Sequence, residues 1–131
     1  MIKKLDINVT MPQFMTDANL LGVNPTDFAS WLTFWRAVEG LKPEPGDFDL
    51  FAKSTGRTKW PEKPAKIIVA IVGRRGMKSA NASMKATKES IGEHPLARGE
   101  WCTIALVDPT RVQARINRDY IASYFHESPY L

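Results

Sequence analysis

Seven consecutive residues, Gly73-Arg74-Arg75-Gly76-Met77-Lys78-Ser79, combine two glycines, three cations and a hydroxyl. Such a set can hold phosphate. Backbone N–H groups curl around the oxygens, and the helix that follows aims its positive end at them. A lysine reaches the outer phosphates and a hydroxyl helps to hold magnesium. Lys78 and Ser79 stand where those last two groups are needed, six residues past Val72 and at the start of a predicted helix. Two positions depart from the pattern Gly-x-x-x-x-Gly-Lys-Ser/Thr. Val72 replaces the first glycine, and Met77 replaces the glycine before the lysine. The second departure matters more. Backbone there approaches the phosphates closely and favours a conformation that glycine tolerates best. A Cβ in a left-handed residue costs on the order of 1–3 kcal/mol. A plain basic turn is the other reading of the same letters.

The flanking elements must position this loop. Ile67-Ile68-Val69-Ala70-Ile71-Val72 is almost wholly β-branched, as in a strand covered on both faces. A helix is predicted from Ser79 to about Ile91, with Ala80, Met84, Thr87 and Ile91 on one side and Lys85 and Lys88 on the exposed side. Trp101 to Val107 reads as a second buried strand. Asp108-Pro109 then caps a final helix bearing Val112, Ile116, Tyr120, Ile121 and Tyr124. Upstream, Asn24-Pro25-Thr26-Asp27 offers a helix start, and Phe28, Trp31, Leu32, Trp35 and Val38 follow at helical spacing up to Gly40. The two tryptophans are read as core residues, with base stacking as the alternative. A short helix is expected over Asp47 to Ser54, its inner face carrying Phe48 and Phe51 and its stop at Gly56. Arg57 to Pro64 reads as a loop. Residues 1–23 show no sustained period, and the chain divides into an arm over 1–24 and one domain over 25–131. The expected fold class is α/β: N-terminal helices, then a β-α-β-α unit with parallel strands and a right-handed crossover. Two parallel strands leave faces and edges uncovered, so a homo-oligomer that completes the sheet is a further expectation.

Charge is concentrated around the loop. Residues 53–88 hold ten basic side chains against the single acid Glu62, whereas the segments on either side are net acidic and the whole chain is +4. A basic block centred on one loop points to phosphates or nucleic acid, with DNA the expected partner; a solvated surface is the alternative. Cys102 is the single cysteine, which excludes an internal disulfide, and its apolar neighbours predict an inert core thiol. His94 and His126 have no ligand spacing around them, so no zinc site is expected. The apolar runs are far shorter than the about 20 residues that a spanning helix needs. Met1-Ile2-Lys3-Lys4 is basic, but Asp6 and Asn8 interrupt any apolar leader. A soluble, cytoplasmic protein is expected.

The octet Val72–Ser79 resembles the arginine-bearing Walker A loop of phage terminase large subunits, often written Gly-Arg-Arg-Gly-Gly-Lys-Ser. That family commonly lacks the first glycine, so Val72 fits it and Met77 does not. The segment Phe34–Leu41, the turn Pro45-Gly46-Asp47 and the stretch Phe51–Arg57 are similar to what precedes the loop in these proteins. Ala105–Asp108 and Gln113-Ala114-Arg115 are similar to the second strand and the helix after it. The likeness spans about residues 28–125 and is most specific at the loop.

The resemblance implies roles. Gly73, Arg75, Gly76 and Met77 would line the phosphates of ATP, Lys78 would contact the β- and γ-phosphates, and Ser79 would help bind Mg2+. Arg74 matches an arginine that stabilises charge during hydrolysis. Phe51 and Arg57 lie where adenine contacts would be; a core phenylalanine and a surface arginine are the other reading. Independently of the resemblance, the basic block would let Lys85 and Lys88, on the exposed side of the helix, meet nucleic acid. The family's paired acids, on a strand after the second helix, have no counterpart before the chain ends, and its nuclease carboxylates are missing. Asp108 ends an expected strand, but Pro109 follows and no second acid adjoins it. The expectation is therefore an incomplete, N-terminal segment of a DNA-packaging ATPase, inactive alone, working with DNA and other phage proteins. The alternative is a stand-alone, non-catalytic phage or prophage protein that binds nucleic acid or inhibits a motor.

Overall fold

The computed structural model describes residues 8–131, and every regular element among them is a helix. α1 spans Met11–Thr16, α2 Ala29–Val38, α3 Asp47–Thr55, α4 Lys78–Ile91 and α5 Arg111–Glu127. α1 is only six residues long, too short to show a period in the sequence. It forms because Thr10 and Gln13 build a capping box and Pro12 sits in the first turn. Its Met11, Phe14 and Met15 are fully buried and meet Leu20, Leu32, Trp35 and Met84 in the core. Met11, Phe14, Met15 and Leu20 thus anchor this segment in the core, against the expectation of a loosely held arm; residues 1–7 of that arm lie outside the described residues.

α2 starts later than its sequence suggests. Asn24 Oδ1 accepts the Thr26 N–H at 3.0 Å, which spends Pro25–Phe28 on turns before the helix opens at Ala29. α3 has the expected limits within a residue, closing on Gly56 in the left-handed conformation, but of its expected inner face only Phe51 is buried; Phe48 is exposed and Asp47 is buried instead. Between α3 and α4 the chain is pinned to the end of α2. Ala65 N–H donates to Val38 O at 2.7 Å, and the Trp60 indole donates to Leu41 O at 2.7 Å. Gly40, at φ 66°, lies directly under this crossing: a Cβ there would come within 2.6–2.9 Å of the Lys63 backbone.

The α/β class is overturned. No strand forms among the described residues, and the backbone of 66–72 and of 101–107 makes no hydrogen bond there. Ile71 is 99% exposed, Val69 83% and Trp101 90%. A strand exists by pairing, and two short runs alone cannot bury enough to hold a sheet together. α4 instead packs directly on α5. Small buried residues on α4, Ser83, Ala86 and Thr87, allow the close approach. Ser83 Oγ donates to the Asn117 carbonyl at 3.2 Å, and the Tyr124 hydroxyl donates to Ala80 O at 3.3 Å. The same packing corrects three further expectations. Cys102 is exposed, not in a core. Val112, Ile116 and Tyr120 are exposed, while Asn117 is buried. Thr110, not Asp108, caps α5, and Asp108 accepts the Asn117 side-chain N–H at 2.7 Å. Among the described residues no helix is long and apolar enough to cross a membrane.

Candidate phosphate-binding loop

The loop is a tight turn feeding a helix. Gly76 N–H donates to Gly73 O at 3.1 Å, and Arg75 takes φ 64° within that turn. A Cβ on Gly76 would run into the Val72 side chain and press on the Gly73 carbonyl, so a larger residue there would force Val72 to move. Met77 follows at φ 58° and stands as the N-cap of α4 with no side-chain cap. Among the described residues, Arg75 and Met77 are the only non-glycines with positive φ. Left-handed backbone costs an L-residue roughly 1–2 kcal/mol. Both strained residues fall in one loop, as happens where function sets the backbone.

The electrostatics run against ordinary helix design. A helix N-terminus carries partial positive charge and favours acids in its first turn. α4 has none there and begins with Lys78, with Arg74 and Arg75 just before it. Lys78, Arg74 and Arg75 are exposed and have no ion-pair partner among the described residues. The N–H groups of Met77, Lys78, Ser79 and Ala80 donate to no acceptor among the described residues. The arrangement gathers backbone donors and three cations at one helix end.

Two aromatic residues of α2 hold this loop, a role that neither the core reading nor the base-stacking alternative gives them. The Trp31 indole donates to Gly76 O at 2.9 Å. The Trp35 indole donates to Asn81 Oδ1 at 3.1 Å, and Asn81 Nδ2 in turn donates to Met77 O at 3.1 Å. Asn81 is 1% exposed. A polar residue four places after Met77, on a helix face otherwise carrying Ala80, Met84 and Thr87, is the signal that could have found it.

A groove of about 1050 Å³ runs between α2, α3 and the segment 67–72. It brings together Phe51, Arg57, Gly73, Arg75, Gly76 and Met77. Arg74, Lys78 and Ser79 do not line it. Phe51 is buried and its ring centroid lies 5.1 Å from that of Trp60. Arg57 is exposed. Within the basic block, Lys85 is not free: it pairs with Glu89 and lies 6.0 Å from the Trp35 ring centroid. Burial opposes ionisation of Glu89, but Lys85 outweighs it and holds the carboxyl below its usual range. Lys88 is half-buried and forms no ion pair among the described residues, though its charge also favours the ionised form of Glu89. A second groove, of about 930 Å³, was not foreseen; it places Lys42, Lys59 and Lys63 around Phe48 and Trp60.

As to bound groups, Ser79 offers one oxygen, and no cluster of three or more acids, histidines or cysteines exists among the described residues. The loop therefore fits a polyphosphate that brings its own magnesium, and does not fit a free cation. No protein-family profile matches the chain, and no curated protein or solved structure matches it either.

Proposed function

We propose that the loop Gly73–Ser79 binds the phosphates of a nucleotide, in a terminase-like segment of a phage DNA-packaging motor acting in the host cytoplasm. One observation carries this reading: the two strained non-glycine residues, Arg75 and Met77, lead into a helix whose first turn holds a lysine and no acid. Local stability favours neither feature, and an oxyanion would reward both. In this reading Lys78 contacts the outer phosphates, Ser79 the magnesium that arrives with them, and Arg74 charge on the terminal phosphate. Phe51 and Arg57 flank the base at the far end of the groove. Turnover is not expected from the residues at hand, since Asp108 is engaged by Asn117. Titration of the chain with Mg-ATP in a calorimeter tests the reading; an absence of saturable heat would sink it.

Met77→Gly should tighten Mg-ATP binding several-fold and raise stability by about 1 kcal/mol, because glycine adopts the left-handed conformation without strain. Phosphate release should stay at background. A variant that binds no more tightly than the parent would mean that the Met77 side chain does not obstruct the site.

The second groove favours a companion reading, contact with nucleic acid. Lysines around a tryptophan and a phenylalanine suit a phosphate backbone with bases stacked beside it. Replacing Lys59 and Lys63 by alanine together should lower the slope of log affinity against log salt by about two. Replacing Lys85 should lower it by less than one, because Glu89 already neutralises that cation. Fluorescence anisotropy with a labelled oligonucleotide at several salt concentrations measures both. Unchanged slopes for Lys59 and Lys63 would reject the groove as the contact.

A further inference from the structure

We infer that Trp31 and Asn81 are positioning residues for anion binding: they fix the carbonyls of Gly76 and Met77 so that the next two N–H groups face a bound polyphosphate. The inference rests on the phosphate-loop reading and adds the residues that set the loop's geometry.

A trans peptide unit is planar, with its C=O and N–H pointing in opposite directions. No cis peptide occurs among the described residues. The Gly76 carbonyl is held by the Trp31 indole at 2.9 Å, so the Met77 N–H of the same peptide points away from Trp31. The Met77 carbonyl accepts from Asn81 twice, from the side chain at 3.1 Å and from the backbone at 3.0 Å. That carbonyl points along α4, so the Lys78 N–H points out of the helix end. Rotation of either peptide would turn a carbonyl oxygen toward the anion and repel it. The left-handed backbone of Arg75 and Met77 favours such rotation. Asn81 of α4 restrains the second peptide, and α2 restrains the first and braces Asn81. Trp31 supplies one bond directly, and Trp35 orients Asn81 through its indole at 3.1 Å. Trp31 is itself held edge-on against Phe34, ring centroids 5.1 Å apart.

Tyr124 provides a matched control. Its hydroxyl donates to a backbone carbonyl of α4, Ala80 O at 3.3 Å, from α5 and outside both grooves. Trp31→Phe and Tyr124→Phe each remove one side-chain–carbonyl bond while keeping an aromatic ring. Calorimetry with Mg-ATP and with inorganic tripolyphosphate, on the full chain, should show Trp31→Phe weakening both ligands by about three- to tenfold. Tyr124→Phe should leave both affinities unchanged. A purely structural role would lower thermal stability in both variants alike and affect affinity in neither. In the unaltered chain, the indole N–H resonance of Trp31 should move on addition of Mg-ATP, a readout that needs no variant to fold. Binding by the parent with equal affinity in Trp31→Phe, or a Trp31 resonance that does not move, overturns the positioning role alone. No binding by the parent overturns it together with the phosphate-loop reading.

Discussion

Asp47→Asn should destabilise the protein by about 3 kcal/mol, the cost of breaking a buried, hydrogen-bonded ion pair from one side. Thermal unfolding should register this as a drop of roughly 10 °C. Asp47 opens α3 and is 3% exposed. One oxygen accepts from Arg36 Nε at 2.6 Å and from the Glu44 N–H at 2.8 Å. The other accepts from the second arm of Arg36 at 2.8 Å and from the Thr33 hydroxyl at 2.5 Å. Two turns of α2 are thereby fastened to the first turn of α3, where a carboxylate also meets the helix dipole favourably. The asparagine cannot accept the fork in its place, and Arg36 would be left with Glu44 at 3.5 Å, a largely exposed partner. Burial opposes the charge on Asp47, yet the hydrogen bonds from Arg36, Thr33 and Glu44 outweigh it and lower the carboxyl to about 2. The folded value lies below the unfolded one. The stabilisation is therefore complete above about pH 4 and is lost as pH falls toward about 2. Urea unfolding between pH 5 and pH 2 should show stability declining in the parent, and declining less in Asp47→Asn. Parallel declines would place the acid sensitivity elsewhere. The groove is affected too, since α3 carries Phe51 and leads to Arg57.

The helices with strong local signals were legible in the sequence. α3 lies between two glycines that both adopt positive φ, Gly46 and Gly56, and its limits match within a residue. α4 was placed almost to the residue because Lys78 and Ser79 follow a glycine turn. α1 was hidden because six residues hold less than two helical turns, and its capping box was overlooked. The largest miss, the pair of strands, came from reading apolarity as burial. Ile67–Val72 and Trp101–Val107 have strand composition, but pairing depends on neighbours that composition does not reveal. Asp108 shows the same limit on a small scale. Its position before Pro109 suggested a cap, while Thr110 two residues on offered a better one and Asn117 drew the carboxylate away. At the site, residue types and order were readable, and so was the problem posed by Met77. The supports from α2 were not, because Trp31 meets Gly76 across 45 residues and Trp35 meets Asn81 across 46, and both contacts form only after α2 and α4 pack on a common core.

Lys78→Ala should separate binding from stability. The lysine is the first residue of α4, exposed and without an ion-pair partner among the described residues. At that place its charge opposes the helix dipole, so alanine should leave stability unchanged or raise it by roughly 0.3–1 kcal/mol. Binding should move the other way. A hydrogen bond to a charged group contributes about 1.5–3 kcal/mol, which corresponds to a loss of about ten- to a hundredfold in Mg-ATP affinity. Replacing Arg75, which lines the groove, should also weaken binding, but its left-handed backbone makes alanine there a change of strain as well as charge. Lys78 is the cleaner test for that reason. Calorimetry supplies the affinity and thermal unfolding without ligand supplies the stability. Addition of Mg-ATP should raise the midpoint of the parent and barely move that of Lys78→Ala. Equal affinities with equal midpoints would show that the cation is surface charge only. A lower affinity with a lower ligand-free midpoint would mean that Lys78 holds the loop together. Only the opposed signs, weaker binding in a protein no less stable, fit a lysine placed at a helix N-terminus to meet an anion.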